Sequence, residues 1–277
     1  MTKFKKCVSK GIHIAYQDRG QGEPLVLIMG LGASSLKWEP HMQVYEKHFR
    51  CIAVDNRGAG QSEKPMMEAY SISSMAEDII SVLDAENIHS AHFNGISMGG
   101  AIAQYIAVNY PERVRSLILT NTFPRCNVSF RRSVEILRDA CGQLDAKTFN
   151  RLGQWIIYSF AFQDANEQYL LDVEENDPDA ANPMPDYAYK AQCNAILGYN
   201  GSERLKEIKA PTLVVAGDMD LFVPIWLTRE MADGIPDCML YVAPNGGHVQ
   251  HWEQLEKYNR VTLDFLLEHR TEGKVQP

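Results

Sequence analysis

Residues 95–99 read Gly-Ile-Ser-Met-Gly and decide the fold of this chain. They lie between a short apolar stretch that includes Phe93 and a run of small residues from Gly100 to Ala107. This context predicts a strand, a sharp turn and a helix, with the central serine in a strained backbone and its hydroxyl exposed. The flanking glycines fit because a Cβ atom there would collide with the neighbouring strand and helix. Ser97 is therefore a candidate nucleophile, and the alternative is a glycine-rich turn with an incidental serine.

Apolar runs alternate with helical patterns on both sides of this turn, which predicts an α/β fold with a mostly parallel sheet. The predicted strands are Phe4–Val8, Ile12–Tyr16, Leu25–Met29, Cys51–Val54, Ala91–Asn94, Leu117–Leu119, Leu213–Ala216 and Met239–Val242. The predicted helices are Ile72–Ala85, Met98–Asn109, Thr228–Ala232 and Leu255–Glu268. The first two strands are expected to form an antiparallel hairpin.

Residues 122–205 break this alternation, because they contain helical patterns without strands. The predicted helices here are Val134–Leu144, Thr148–Ala161 and Tyr187–Leu197, and the Asp-, Asn- and Pro-rich stretch from Glu174 to Pro185 is predicted to be a loop. We therefore expect a core domain made of residues 1–121 and 206–277. We expect residues 122–205 to form a helical cap over the carboxyl edge of the sheet.

The composition is that of an ordinary soluble globular protein, with 277 residues of which 45% are hydrophobic and 22% charged. A net charge of −8 argues against nucleic-acid or anionic-membrane partners, which need a basic surface. No signal peptide or membrane span is expected, since the longest apolar run covers only residues 25–29. The six scattered cysteines contain no C-x-x-C pair, which favours reduced thiols in a cytoplasmic protein.

A serine nucleophile needs a base, and two histidines late in the chain are candidates. His248 follows two glycines in a loop after a predicted strand, whereas His251 is expected to begin the last helix. We favour His248, although it also reads as a simple loop histidine. No third ligand accompanies the two histidines at a metal-binding spacing, so no metal is expected.

The base in turn needs a carboxylate to orient it, and a reaction at a carbonyl needs two backbone N–H donors for the oxyanion. Asp218 and Asp220 both follow the predicted strand Leu213–Ala216, and spacing alone does not choose between them. One donor is expected from Met98, at the start of the helix after the serine. The second is expected from the glycine-containing loop Gly30–Ser34.

With these pieces in order, the chain resembles the α/β-hydrolase fold superfamily. The order of Ser97, the aspartates and His248 is similar to the order of nucleophile, acid and base in that superfamily. The resemblance extends to a D-x-R-G-x-G-x-S turn at Asp55–Ser62, to the passage Asn109–Val114 and to a G-x-x-D-x-x-V-P pattern at Gly217–Pro224.

The resemblance implies an eight-stranded, mostly parallel sheet with a helical cap inserted after the sixth strand. It also implies that Asp220 is the acid, and that the amides of Leu31 and Met98 form the oxyanion hole. One departure is visible, because this chain has Met29-Gly30 where the superfamily usually has His-Gly.

Among subfamilies the chain looks most like the small carboxylesterases and lactonases grouped with 3-oxoadipate enol-lactonase. The resemblance implies a serine hydrolase that cleaves a small carboxylic ester or lactone through an acyl-enzyme, without cofactor or metal. Residues expected near the substrate are Gly30 and the cap aromatics Trp155, Tyr158 and Phe162, which read equally well as the core of the cap.

Other functions stay open on the sequence. The same three residues support C–C bond cleavage, thioester hydrolysis or perhydrolysis. A ligand-sensing protein with little turnover is an alternative of a different class. The sequence also leaves open whether the protein is a homodimer.

The acidic residues of the cap between 172 and 179 would either disfavour anionic substrates or form a solvated loop.

Overall fold

The computed structural model describes residues 3–271, so the outermost ends of the predicted core, 1–2 and 272–277, lie outside the described residues. One eight-stranded sheet runs through this part of the chain in the order β1-β2-β4-β3-β5-β6-β7-β8. The strands are β1 (Phe4–Ser9), β2 (Ile12–Arg19), β3 (Pro24–Ile28), β4 (Arg50–Val54), β5 (Ala91–Ile96), β6 (Val114–Thr120), β7 (Thr212–Gly217) and β8 (Cys238–Ala243). Strand β2 is antiparallel to its neighbours, and β3 to β8 are parallel to one another. The predicted fold class is thus confirmed.

Helices cover both faces of the sheet, as a mostly parallel sheet requires. They are α1 (Glu39–Tyr45), α2 (Ile72–Ala85), α3 (Met98–Asn109), α4 (Val128–Ala140), α5 (Ala146–Ile157), α6 (Phe160–Ala165), α7 (Glu167–Glu175), α8 (Asp186–Leu197), α9 (Ile225–Gly234), α10 (Gln250–Glu253) and α11 (Leu255–Glu268). Val26 and Ile28 of β3 belong to a core cluster shared with α2 and α3. Leu25 and Leu27 point to the other face and join a cluster with α1 and α11.

Three core helices have the bounds that the sequence predicts, because their end signals are local. At the start of α2, Ser71 and Ser74 form a reciprocal capping box in which the side chain of each accepts a bond from the other's backbone N–H. Pro111 begins a short 3-10 turn directly after α3, and the helix ends before it. The predicted hairpin of β1 and β2 is also present.

The helices between β6 and β7 differ from the prediction in three places. The predicted helix Thr148–Ala161 is interrupted at Tyr158, whose φ of −88° and ψ of 143° are extended. The predicted Val134–Leu144 is shifted, because Asn127 caps α4 at its start and Gly142, with a φ of 77°, follows its end. Helix α7 was not predicted and reaches into the start of the predicted loop, which leaves residues 176–185 as the observed loop.

Two further corrections concern the core. Helix α1 was not predicted, although its three buried side chains, His41, Met42 and Tyr45, fill one face of the sheet. His251 does not begin the last helix but lies inside the short helix α10, which precedes α11. Within residues 3–271 no helix combines the length and the apolar character that crossing a bilayer requires.

Candidate active site

Ser97 occupies the turn between β5 and α3 in the strained conformation that the sequence predicts, with φ 54° and ψ −119°. Its backbone N–H donates to Thr120 O at 2.9 Å, and Thr122 Oγ1 donates to Ser97 O at 2.6 Å. Both neighbouring glycines are required by close packing. A Cβ on Gly95 would collide with the backbone of Gly99, and a Cβ on Gly99 would collide with the carbonyl oxygen of Ile28.

The loop after β3 lies directly against this serine. A Cβ added to Gly30 would stand 3.1 Å from the Cβ and 3.7 Å from the Oγ of Ser97, so the backbone of this loop lies in tight contact with the serine. Met98 is the first residue of α3, and its N–H therefore has no partner within the helix. Leu31 N–H donates to no protein acceptor in the part of the chain that the structure describes. Among the described residues, the backbone amides of Leu31, next to Gly30, and of Met98, next to Ser97, are thus both left without a protein acceptor.

The unusual Met29 at the start of this loop is held by a polar contact. Asn56 Nδ2 donates to Met29 O at 2.9 Å, and the amide belongs to the D-x-R-G-type turn. Farther along the loop, Gly32 N donates to Gln192 Oε1 at 2.9 Å, while Gln192 Nε2 donates to Arg57 O at 2.9 Å. The loop is therefore fixed by two amide side chains, one from the core and one from α8.

The candidate base and the candidate acid lie together beyond the ends of β8 and β7. His248 Nδ1 is 2.8 Å from Asp220 Oδ2. Asp220 Oδ1 accepts bonds from the N–H groups of Phe222 and Val223, each at 2.8 Å. Because the carboxylate only accepts in these contacts, His248 Nδ1 carries the proton, and Nε2 is left as the acceptor. Asp218, the competing carboxylate, is exposed and takes no part in this network.

Asn121 is the residue of this site that sequence reasoning missed. It is fully buried and directly follows β6. Its Nδ2 donates to Asp220 Oδ2 at 2.9 Å and to Gly247 O at 3.0 Å, and its Oδ1 accepts a bond from Gln250 Nε2 at 3.3 Å. The available signal was a lone Asn after a strand, a residue that tolerates a positive φ; here φ is 45°.

Asn121 also connects the two halves of the site. The residues on either side of it, Thr120 and Thr122, hold the backbone of Ser97, while its own side chain holds Asp220 and the residue before His248. Among the described residues no hydrogen bond joins Ser97 Oγ to His248. Such bonds are often long in a substrate-free site and tighten on binding.

His251, the other candidate base, belongs to a separate buried group. Its Nδ1 lies 3.1 Å from Nε2 of His41, whose Nδ1 lies 2.6 Å from Asn259 Oδ1. Burial lowers the pKa of His41 to about 4 and holds the pKa of His251 well below its ordinary value. Both rings are therefore neutral near pH 7, and His251 has no contact with Asp220.

The three cap aromatics do not share one environment. Tyr158 is buried, stacks on Phe162 with ring centroids 5.3 Å apart and meets Tyr169 edge-on. Burial raises the pKa of the Tyr158 hydroxyl far above its ordinary value. Trp155 is 55% exposed, and its ring lies beside that of Phe160, which is also exposed.

The acidic loop of the cap binds the core rather than standing free in solvent. Asp179 Oδ2 accepts a bond from Ser34 N at 3.2 Å, and Asp177 Oδ1 forms an ion pair with Lys37 at 2.6 Å. Ser34 is the last residue of the loop Gly30–Ser34, and Lys37 lies three residues beyond it. Within residues 3–271, no group of three or more His, Cys, Asp or Glu side chains is placed to hold a metal ion.

Comparisons with known proteins agree with the observed fold. A family model described as alpha/beta hydrolase fold matches residues 23–255. The chain is 32% identical over 259 residues to "Putative carbamate hydrolase RutD" of Variovorax paradoxus strain S110, covering 92% of this chain and 96% of that protein. The solved enol-lactonase of Burkholderia xenovorans LB400 superposes with a TM-score of 0.84 at 23% identity, over 95% of this chain and 100% of that one. Est816, described as an N-acyl homoserine lactone degrading enzyme, superposes with a TM-score of 0.82 at 26% identity, over 94% and 100% of the two chains.

Proposed function

The chain belongs to the α/β hydrolase fold family, and we propose that it is a serine hydrolase that cleaves a small carboxylic ester or lactone. The observation that carries the proposal is the Asp220–His248 pair, which stands at the same sheet edge as a strained serine with free amides beside it. A serine hydroxyl gains nucleophilicity from such a base, and an oxyanion is stabilised by such amides.

In the proposed reaction Ser97 Oγ attacks the carbonyl carbon while His248 Nε2 takes the hydroxyl proton. Asp220 holds the imidazole in the required tautomer and stabilises its positive charge. The N–H groups of Leu31 and Met98 donate to the oxyanion of the tetrahedral intermediate. The C–O bond to the leaving alkoxide then breaks, and His248 returns the proton to it.

The acyl group remains on Ser97 and is released by water in the second half of the reaction. His248 takes a proton from the water, whose oxygen attacks the acyl carbon, and then returns that proton to Ser97 Oγ. No redox step occurs, and no cofactor enters the proposal. Tyr158 and Phe162 are proposed to border the acyl pocket with Gly30, while Trp155 borders its outer rim.

The substrate class is tested with a panel on wild type and Ser97→Ala. The panel contains p-nitrophenyl acetate and butyrate, a γ-lactone, a thioester and a diketone of the C–C hydrolase type. The proposal expects turnover of the esters or the lactone that Ser97→Ala abolishes without unfolding the protein. Turnover of the thioester or the diketone alone would overturn the proposed substrate class but would leave Ser97 as the proposed nucleophile.

Carbamate hydrolysis is a second candidate, because a relative at 32% identity carries that name. The chemistry would leave a carbamoyl group on Ser97 in place of an acyl group, with the same roles for His248 and Asp220. Adding p-nitrophenyl carbamate to the panel distinguishes carbamate hydrolysis from ester hydrolysis. Faster turnover of the carbamate than of the matching acetate would favour the carbamate.

We also propose a cytoplasmic location. Its support is the set of six free cysteines, of which Cys51, Cys141 and Cys193 are buried. Periplasmic or extracellular recovery of the tagged protein from its native host would contradict this.

A further inference from the structure

Glu253 of helix α10 bridges the cap and the loop that carries His248. Its Oε1 accepts a bond from Ser159 N at 2.6 Å, and its Oε2 accepts one from Gly247 N at 2.9 Å. Ser159 Oγ donates to the same Oε2 at 3.2 Å. Ser159 begins α6 of the cap, whereas Gly247 directly precedes the base. One carboxylate therefore receives donors from two parts of the chain about 90 residues apart in sequence.

The backbones of these two segments are also in direct contact. Val249 N donates to Ile157 O at 3.1 Å, so the residues on both sides of His248 are bonded either to the cap or to Glu253. A Cβ added to Gly247 would collide with Ser159 N and approach Ile157 O to 2.7 Å. This close packing explains why the cap helix breaks at Tyr158, since the extended turn brings Ile157–Ser159 against the His248 loop.

We propose that Glu253 is a positioning residue that fastens the base His248 to the cap. The inference rests on the proposed function, because it assigns His248 the role of base. Asp220 and Asn121 hold the imidazole and the loop from the core side. Glu253 holds the same loop from the cap side, so the position of the base depends on the position of the cap.

A carboxylate suits this place because all of its neighbours are donors. The contacts of Glu253 come from two backbone N–H groups and one hydroxyl. A glutamine would place an NH₂ group against one of the two backbone N–H groups, and that donor would lose its bond. An aspartate keeps the charge but is one methylene shorter, so it cannot reach both backbone donors.

The role of Glu253 in positioning the base predicts a loss that does not depend on the size of the substrate. A displaced base slows proton transfer for every ester, and a misplacement of about 1 Å costs on the order of 10²-fold in rate. A role in holding the cap alone predicts a different pattern, because a loose cap weakens binding of long acyl chains and spares a short one.

The experiment compares Glu253→Gln and Glu253→Asp with wild type on p-nitrophenyl acetate and p-nitrophenyl octanoate. Glu256→Gln is the matched control, since Glu256 is an exposed carboxylate in the next helix. Near-UV circular dichroism checks that each variant is folded. In parallel, proton NMR follows the low-field Nδ1–H signal of His248, which reports its bond to Asp220 without any substrate.

We expect both Glu253 variants to lose kcat by a similar factor on the two esters, with KM nearly unchanged and the low-field signal broadened or shifted. Unchanged kcat on the acetate with a raised KM on the octanoate would overturn the positioning role. If wild type turns over neither ester, the ester half of the proposed function fails, and the NMR signal tests the role of Glu253 separately. A signal identical in wild type and Glu253→Gln would then overturn the role of Glu253.

Discussion

Asn121 bonds both Asp220 and the loop that carries His248, and its replacement should weaken both the fold and the proposed catalysis. In Asn121→Gly the Nδ2 bonds to Asp220 and to Gly247 O are lost. Glycine is the suitable replacement because the backbone φ of 45° at this position is one that glycine adopts freely. The change therefore removes the side-chain bonds without adding backbone strain.

The magnitude follows from the contacts. A hydrogen bond to a charged group contributes about 2 kcal/mol and one between neutral groups about 1 kcal/mol. The bonds to Asp220 and Gly247 therefore predict a loss of about 3 kcal/mol in the free energy of unfolding for Asn121→Gly. Asn121→Ala should lose about 1 kcal/mol more, since a Cβ is disfavoured at positive φ.

Catalysis should also fall, because Asp220 loses one of the two donors on the oxygen that faces His248. The two backbone amides on the other oxygen remain, so the acid is not removed. The loss in kcat should therefore be well below the roughly 10⁴-fold cost of replacing a triad aspartate by asparagine. We expect a fall on the order of 10- to 100-fold, as for a small displacement of reacting groups.

The assay is urea unfolding followed by tryptophan fluorescence, together with p-nitrophenyl butyrate kinetics. Asn87→Gly is the matched control, because Asn87 is exposed, has a φ of 55° and makes no side-chain hydrogen bond among the described residues. Its unfolding free energy should stay within about 0.5 kcal/mol of wild type. The reasoning is refuted if Asn121→Gly is as stable and as active as Asn87→Gly.

Three further predictions concern neighbouring features. The pKa of about 4 for buried His41, against an ordinary 6.5, means that the unfolded chain binds a proton more readily. The stability that neutral His41 contributes is complete above pH 6.5 and is lost as the pH falls toward 4, by at most about 3 kcal/mol. Measured by urea unfolding from pH 7 to 4.5, the free energy of unfolding should change less with pH in His41→Gln than in wild type. An equal pH dependence in the two proteins would refute this. Gly99→Ala should unfold at a lower temperature than wild type and lose esterase activity, because its Cβ would collide with the Ile28 carbonyl oxygen. A Tm equal to that of wild type in calorimetry would contradict this. Gln192→Leu should raise the dissociation constant of a boronate transition-state analogue by a larger factor than it raises KM, since Gly32 N loses its acceptor. Equal factors for the dissociation constant and KM would argue against a link between Gln192 and the proposed oxyanion loop.

Features that depend on neighbouring residues could be predicted from the sequence. The strained turn at Ser97 follows from two glycines between a strand and a helix, and the structure has it. The start of α2 follows from its serine cap. The two candidate bases could also be ranked, because the glycines before His248 indicate a loop, whereas the pattern after His251 indicates a helix.

Features that depend on distant residues could not be predicted in the same way. Asp218 and Asp220 both follow β7, and residue spacing does not choose between them. The family resemblance implies Asp220, and the structure shows that Asp220 is the one that contacts His248 and Asn121. The role of Asn121 is not visible in the local sequence, because its partners lie 99 and 126 residues away. The break at Tyr158 has a local signal in Ser159, which caps α6, but the close fit of this turn against Gly247 is non-local.

The central claim, that Ser97 is a nucleophile activated by this site, is tested most directly by intact-protein mass after incubation with a fluorophosphonate. The account predicts one covalent adduct on wild type, with no adduct on folded Ser97→Ala. An adduct that persists on Ser97→Ala would contradict the assignment of the nucleophile. A folded wild-type protein that forms no adduct would contradict an activated serine and favour the ligand-sensing alternative.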